Sequence, residues 1–148
     1  MRLALDTNIL AYAEGVNGAA MQNAAVAIIS KLQAGTTFLP VQTLGELFYL
    51  LVRKAGVSPQ RAHSSLLVWQ DAFPTIETSR TVMLAAMDIA SRHRFKIWDA
   101  VVLSAASLAQ CRLLLSEDLQ DGFTWNGVTV VNPFATTPHE LLAEALAE

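Results

Sequence analysis

Two acidic residues of this 148-residue chain stand where short apolar segments end. Asp6 directly follows Leu3-Ala4-Leu5, and Asp118 follows Leu113-Leu114-Leu115 after two further residues. Apolar runs without polar alternation are typical of strands that are buried on both faces of a parallel sheet. Because ligands of such sheets bind beyond the carboxyl ends of the strands, both carboxylates are candidates for chemistry.

The residues after Asp6 predict the start of a helix. Thr7 and Asn8 carry side-chain acceptors for the free N–H groups of a helix that we expect to begin near Ile9. Asp6 is equally suited to such capping. On this segment alone, a capping role and a chemical role for Asp6 are therefore equally well supported.

Two further carboxylates lie on predicted helices. Glu46 belongs to a helix expected over residues 42–55, which is apolar nearly all round and should be largely covered. No Lys or Arg stands one turn away from Glu46 to pair with it, and a covered carboxylate without a partner needs a cation or a proton. Asp99 lies in the first turn of a helix expected over residues 97–109, where the helix dipole alone favours an acid.

The four acids can meet only if the sheet order brings the two acid-bearing strand ends together. If they meet, like charges at close range need divalent cations. Oxygen ligands without His or Cys favour Mg²⁺ or Mn²⁺ over zinc. The three histidines have no metal-ligand spacing, and the chain has no glycine-rich phosphate loop, nucleophile elbow or Cys-x-x-Cys motif. The residues therefore favour metal-assisted hydrolysis of a phosphodiester.

Strands and helices alternate along the chain, which favours parallel pairing. We expect an α/β fold with a central parallel sheet of about four to five strands flanked by helices, in a single domain of residues 1–148. The expected strands are residues 3–5, 36–40, 74–77, 112–116 and 128–131. The further expected helices are residues 18–33, 58–72 and 138–147, and one that opens at Ser79 with an apolar stripe of Met83, Ala86, Met87 and Ala90.

The composition is apolar for a protein that works in water. Hydrophobic residues make up 53% of the chain and charged residues 16%, so part of the excess is expected in a subunit or partner interface. No apolar run is long enough to span a bilayer, and the first residues do not form a signal peptide. The single Cys111 excludes an internal disulfide. We expect a cytoplasmic protein.

In their order, four segments resemble the motifs of PIN (PilT N-terminal) domain nucleases, and most closely those of the VapC-type ribonuclease toxins of bacterial toxin–antitoxin pairs. The segments are Leu5-Asp6-Thr7-Asn8, the helical Glu46, Trp98-Asp99-Ala100 and Ser116-Glu117-Asp118-Leu119-Gln120-Asp121-Gly122. The closing Val130-Val131-Asn132-Pro133-Phe134 is similar to the end of that domain. The resemblance covers essentially the whole chain.

This resemblance implies a site, a substrate and partners. It implies an acidic quartet around Mg²⁺ or Mn²⁺, made of Asp6, Asp99 and Asp118, with Glu46 bound directly or through water. By the same analogy Asp121 is a candidate fifth acid, and Thr7, Asn8 and Ser116 orient the carboxylates. The family also implies an RNA substrate, an antitoxin partner and a homodimer.

The charge balance bears on the RNA substrate. The formal net charge is −3, but without the four proposed ligands, which carry four negative charges, it becomes +1. Three basic residues shortly before Asp99 are candidates for a rim that contacts phosphates: Arg92, Arg94 and Lys96. Positive charge at a solvated helix end explains each of them equally well.

Two other classes of function stay open. A haloacid-dehalogenase-like phosphatase also places an Asp after its first strand, but it normally has a second acid two residues later, where this chain has Asn8. The other alternative is a catalytically inactive PIN-like module that only binds a partner. The presence of all four acids speaks against such a module.

Overall fold

Six strands form one sheet in the computed structural model, which describes all residues from Met1 to Glu148. The order across the sheet is β3-β2-β1-β4-β6-β5. All neighbouring strands are parallel except β5, which runs antiparallel to β6. The strands are β1 (Leu3–Leu5), β2 (Thr37–Pro40), β3 (Thr75–Ile76), β4 (Leu113–Leu115), β5 (Thr124–Trp125) and β6 (Val128–Val131).

Seven helices connect and flank the strands. Two of them begin at predicted caps, since the Ser58 side chain accepts from the Arg61 N–H and the Ser79 side chain accepts from the Val82 N–H. None of the seven combines the length and the hydrophobicity that a membrane crossing requires. The helices are α1 (Thr7–Ala13), α2 (Gly18–Ile29), α3 (Val41–Arg53), α4 (Pro59–Ala72), α5 (Arg80–His93), α6 (Ile97–Leu108) and α7 (Glu140–Ala147).

The sheet separates two apolar layers. Leu3 and Leu5 of β1 pack into a core with buried residues of α1, α3, α4 and α7, whereas Ala4 packs into a second core formed with α5 and α6. The side chains of β4 are shared between the two cores in the same way, since Leu113 and Leu115 pack into the first core and Leu114 into the second. Both strands are therefore buried on both faces, as the unbroken apolar runs predicted. The fold is an α/β sandwich with a mostly parallel sheet.

The sheet has one strand more than the predicted four to five. β5 and β6 form a hairpin across Asn126 and Gly127, which both have positive φ values, 44° and 86°. An Asn-Gly pair between two strands is a strong hairpin signal because this turn needs φ above zero at both central residues. Smaller differences concern α2, which ends at Ile29, and Met87, which is exposed while Val82 and Ile89 supply the buried side of α5.

The register of the sheet brings the two acid-bearing strand ends together. β1 lies beside β4, with Leu5 opposite Leu115, and the Asp6 N–H donates to the carbonyl of Leu115 at 2.9 Å. The segments that follow β1 and β4 therefore start side by side at one edge of the sheet. The sheet order thus meets the condition under which the four acids can come together.

Candidate active site

Asp6 is both the cap of α1 and the centre of a buried polar network. Its Oδ1 accepts from the Thr7 N–H at 2.8 Å, and its Oδ2 accepts from Ser116 Oγ at 2.7 Å and from Asn8 Nδ2 at 3.4 Å. The helix consequently begins at Thr7 and not near Ile9, so the prediction that Thr7 and Asn8 supply the cap was wrong. Capping by Asp6 leaves both of those side chains available for other acids.

Burial makes the charge on Asp6 costly. The residue has 5% of its surface exposed, and burial raises the pKa of its carboxyl group from 3.8 to about 7. The hydrogen bonds from Ser116 and Thr7 act in the opposite direction, while the charges of Glu46 and Asp99 raise the pKa further. The surroundings of Asp6 therefore disfavour its charged form and provide no salt bridge that would offset this cost.

Asn8 connects the two strand ends. Its Nδ2 donates to Asp118 Oδ2 at 3.2 Å, as well as to Asp6, and its Oδ1 accepts from the Glu117 N–H at 3.1 Å. Ser116 contributes to the same link, because its Oγ accepts from the Leu119 N–H at 3.2 Å while it donates to Asp6. The loop after β4 is thus fixed to the first turn of α1.

Glu46 reaches this network from α3. Its Oε2 accepts from Thr7 Oγ1 at 2.6 Å and its Oε1 accepts from Gln42 Nε2 at 2.8 Å. Both donors are neutral. The absence of a helical ion pair follows the sequence, since position 42 holds a glutamine and not a lysine or arginine.

The helix that carries Glu46 is less covered than its apolar sequence predicted. Only Thr43, Leu47 and Leu51 of α3 are buried, while Phe48 and Tyr49 are exposed and Glu46 is half-buried. The expectation of a largely covered helix was wrong because α3 packs along one face only. Its other side borders a cavity.

Asp99 lies half-buried in the first turn of α6. Burial raises the pKa of its carboxyl group, and the charges of Glu46 and Asp118 raise it further, whereas Lys96 opposes them. These effects of charge show that Asp99 shares its surroundings with two acids from α3 and from the loop after β4.

None of these acids forms a salt bridge with a Lys, Arg or His side chain. The two salt bridges of the molecule join the amino terminus to Glu148 and Arg92 to Asp88, both away from the network. No group of three or more His, Cys, Asp or Glu side chains converges closely enough in this arrangement to form a metal site by itself. The donors are nevertheless carboxylate oxygens, the hard ligands that suit Mg²⁺ and Mn²⁺.

Two depressions meet at Asp118. The larger has a volume of about 880 Å³, and its walls include Glu46, Tyr49 and Trp98. The smaller, of about 220 Å³, is lined by basic residues that precede α6 and by Asp99. We call them the aromatic cleft and the basic pocket. Arg94 and Lys96 belong to the basic pocket.

Two residues named from the sequence lie apart from this site. The Asp121 side chain is exposed and accepts from the Asn132 N–H at 2.8 Å, so it ties the loop after β4 to the segment after β6. Arg92 is exposed and pairs with Asp88 on α5 at 2.8 Å. Neither residue lines the aromatic cleft or the basic pocket.

The structure adds contacts that sequence reasoning did not identify. Gln42 stands one helical turn before Glu46, a spacing at which a side-chain hydrogen bond could have been predicted. The Tyr12 hydroxyl donates to Glu117 Oε1 at 2.9 Å, across 105 positions of sequence, and no local signal indicates this pair. Burial and the Glu117 hydrogen bond raise the pKa of Tyr12 to about 12.

Comparison with solved structures shows where else this fold occurs. VapC20 of Mycobacterium tuberculosis, a Sarcin-Ricin loop cleaving toxin, is 16% identical, with a TM-score of 0.66 over 78% of this chain and 91% of that one. A toxin–antitoxin complex from Klebsiella pneumoniae contains a chain that is 21% identical, with a TM-score of 0.67 over 90% of this chain and 98% of that one. FitAcB of Neisseria gonorrhoeae is 17% identical, with a TM-score of 0.67 over 89% and 98%.

These low identities show a shared fold, and the family follows from the sequence. No curated protein gives a significant match to the chain. The PIN domain family model matches residues 3–121, a range that contains all four acids of the site and most of the chain. This protein therefore belongs to the PIN domain family.

Proposed function

We propose that residues 1–148 form one PIN-like nuclease domain that acts as a divalent-metal-dependent endoribonuclease. The observation that carries this proposal is the group of carboxylates at one edge of the sheet, held by neutral donors and without any ion pair. Burial, and to a smaller extent the charges of neighbouring acids, raise the pKa of Asp6 and of Asp99, and a bound cation would favour the charged forms that these effects disfavour. The PIN family and its known toxins support the nuclease activity.

The residues proposed to hold Mg²⁺ or Mn²⁺ are Asp6, Asp99 and Asp118, with Glu46 directly or through water. Such an ion, when bound, supplies water activation and stabilises negative charge on a phosphodiester. Mg²⁺ commonly keeps several waters, so part of this set can bind the ion through water, which agrees with the absence of a close group of three acids.

The neutral donors around the acids have a positioning role in this proposal. Thr7 holds the Glu46 carboxylate, Ser116 holds Asp6, and Asn8 contacts both Asp6 and Asp118. A neutral donor fixes the direction of a carboxylate without removing its charge, so the carboxylate stays available to a cation. Asp121 is left out of the proposed ligand set because it is exposed, lines neither depression, and accepts from the Asn132 N–H, a donor that no other proposed ligand contacts.

RNA phosphates are proposed to contact the basic pocket. Arg94 and Lys96 line it together with Asp99 and Asp118, so positive charge stands directly beside the proposed metal ligands. Arg92 is assigned a smaller share of the RNA contacts because Asp88 already neutralises it.

We further propose that the protein is the toxin of a type II toxin–antitoxin pair, a cytoplasmic homodimer whose antitoxin places a segment near the active site. Exposed apolar side chains of α3 and α4 support such interfaces, among them Phe48, Leu67 and Val68. A monomer in light scattering at micromolar concentration would contradict the homodimer. An antitoxin fragment that binds without inhibiting would contradict the position of its segment.

The proposal is tested by incubating the purified protein, freed of any antitoxin, with RNA in Mg²⁺, in Mn²⁺ and in chelator, and in parallel with a generic phosphomonoester. We expect RNA cleavage only with a divalent ion and no release of phosphate from the monoester. Phosphate release without RNA cleavage would instead support the haloacid-dehalogenase-like phosphatase. If RNA is not cleaved and no phosphate is released under any of these conditions, the result would support the inactive partner-binding module.

A further inference from the structure

Asp118 is an exposed residue between two neighbours that the fold holds in place. Leu119 is buried, and its N–H donates to Ser116 Oγ at 3.2 Å. Glu117 is half-buried and contacts α1, where its Oε1 accepts from the Tyr12 hydroxyl at 2.9 Å. The place of Asp118 at the edge of the sheet is therefore determined by contacts on both sides of it.

Tyr12 is itself supported by the segment after β6. Its ring packs edge-on against Phe134, with the ring centroids 5.5 Å apart and the planes at 63°. The Phe134 N–H donates to Asn132 Oδ1 at 2.9 Å, so this segment is held by a hydrogen bond of its own. The Tyr12 hydroxyl consequently meets Glu117 from a supported ring, and a hydrogen bond to a carboxylate is stronger than one between neutral groups.

Glu117 connects Tyr12 to the Asp118 carboxylate. The hydrogen bond from Tyr12 is the only one that the Glu117 side chain makes. The backbone N–H of Glu117 donates to Asn8 Oδ1 at 3.1 Å, which leaves Asn8 Nδ2 to donate to Asp118 Oδ2 at 3.2 Å. A change at the Tyr12 hydroxyl can therefore reach Asp118 through Glu117 and Asn8.

Two roles are conceivable for a carboxylate directly before Asp118. Glu117 either binds the ion itself or holds the loop after β4 so that Asp118 can bind it. Asp118 lines both the aromatic cleft and the basic pocket, whereas Glu117 lines neither. Glu117 also forms no salt bridge, so the Tyr12 hydroxyl is the group that fixes its side chain. These observations favour a role in holding the loop.

We propose that Tyr12 and Glu117 are a pair of positioning residues, which hold the loop after β4 so that Asp118 faces the bound ion. This inference rests on the proposed metal-dependent function, and neither residue contacts the ion or the substrate in it. Loss of a residue behind a metal ligand commonly weakens metal binding by about 10–100-fold. Because Tyr12 acts through two intermediate residues, we expect an effect at the lower end of this range.

The test measures Mn²⁺ binding to the full-length protein without RNA, by isothermal titration calorimetry. Tyr12→Phe removes the hydroxyl and keeps the ring against Phe134, Glu117→Ala removes the acceptor, and Glu117→Gln keeps an acceptor without the charge. Glu14→Ala is the matched control, because Glu14 follows α1 and accepts from an aromatic donor, Trp69 Nε1, at 2.7 Å, but has no contact with the loop after β4. Urea unfolding in chelator measures the stability of each variant.

We expect Tyr12→Phe and Glu117→Ala to bind Mn²⁺ about tenfold more weakly than wild type, and Glu117→Gln and Glu14→Ala to stay within about threefold of it. The double variant Tyr12→Phe/Glu117→Ala should lose no more affinity than Glu117→Ala alone, since both changes break the same hydrogen bond.

A Mn²⁺ affinity of Tyr12→Phe equal to that of wild type, whatever its stability, would overturn the proposal and reduce the pair to a structural contact. Equal losses in Glu117→Gln and Glu117→Ala would also overturn it, because the charge of Glu117 and not its hydrogen bond would then matter, as expected of a ligand. Wild-type protein that binds no Mn²⁺ would overturn the positioning role together with the metal-dependent function. If the variants bind Mn²⁺ as expected but wild type cleaves no RNA, the ribonuclease proposal fails while the positioning role stands.

Discussion

The acids that follow β1 and β4 stand side by side but in opposite surroundings. Asp6 is buried and accepts from three donors, whereas Asp118 is exposed and accepts only from Asn8. One carboxylate is thus held by three hydrogen bonds inside the fold, whereas the other is held by a single hydrogen bond at the surface.

This contrast shows that the fold loses stability at the edge of the sheet where Asp6 lies. A buried carboxylate without a cation destabilises the folded state, and the raised pKa of Asp6 is the measure of that cost. An exposed carboxylate has almost no such cost. Natural proteins accept this kind of loss where function requires it, so the buried acid is the stronger indication of a site.

The largest expected effect on activity comes from the two proposed ligands that are partly or fully exposed, Asp99 and Asp118. Asp118→Asn and Asp99→Asn remove a proposed ligand charge while keeping size, and we expect RNA cleavage to fall by more than the roughly 10–100-fold that loss of a residue behind a metal ligand costs. Quantitative cleavage assays with Mg²⁺ measure the effect. Asp88→Asn, which removes an exposed acid on α5, is the control and should keep full activity. Comparable activity in all three variants would remove the basis for the site.

The next effect concerns how the free energy of unfolding depends on pH through the buried Asp6. Because the pKa of Asp6 is about 7 in the folded protein and 3.8 ordinarily, folding favours its protonated form, and this stabilisation is lost as the pH rises from about 4 to 7. Without divalent ions, Asp6→Asn should therefore match wild type near pH 4 and exceed its free energy of unfolding at pH 8 by on the order of 2–4 kcal/mol.

Urea unfolding at several pH values tests this difference, with chelator present throughout. Asp88→Asn should show no comparable dependence, since that acid is exposed. A gap between Asp6→Asn and wild type that stays constant from pH 4 to pH 8 would contradict the assigned cost of burying Asp6.

A smaller effect on stability is expected at Ser116, which joins Asp6 to the loop after β4. Ser116→Ala removes the donor to Asp6 and the acceptor of the Leu119 N–H, and we expect a loss of about 1–3 kcal/mol in the free energy of unfolding. Ser64→Ala, whose exposed hydroxyl donates to the Gln60 carbonyl, is the matched control and should change stability by less than about 0.5 kcal/mol. Equal effects of the two substitutions would show that the junction is not held through Ser116.

The smallest effect is expected at Asp121. Asn can still accept from the Asn132 N–H, so Asp121→Asn should change the free energy of unfolding by less than about 0.5 kcal/mol. Cleavage and Mg²⁺ dependence should stay within about twofold of wild type, because the proposed ligand set does not include it. A loss of activity as large as that of Asp118→Asn would return Asp121 to the metal site.

Local sequence signals predicted the elements that position the acids. The unbroken apolar runs of β1 and β4 indicated burial on both faces, and Ser58 and Ser79 indicated two helix starts. β5 was missed although Asn126 and Gly127 carry a hairpin signal between it and β6.

What depended on distant partners was not predicted from the sequence. Periodicity shows which residues share a face of α3 but not which face packs, so Glu46 was expected in a covered helix and is half-buried beside a cleft. Asn8 was expected to cap a helix, and it joins two strand ends whose contact only the sheet order establishes. The exposure of Trp98 likewise follows from the packing of α6 and not from its hydrophobicity.

The central claim is that Asp6 serves chemistry and not only the start of α1, and Asp6→Asn separates the two roles. Asparagine caps helices about as well as aspartate but carries no charge for a divalent ion. The measurement is Mg²⁺-dependent RNA cleavage by purified Asp6→Asn protein, shown to be folded and free of antitoxin. Our account predicts that cleavage falls by orders of magnitude while the fold is kept. Full ribonuclease activity in that variant would contradict it.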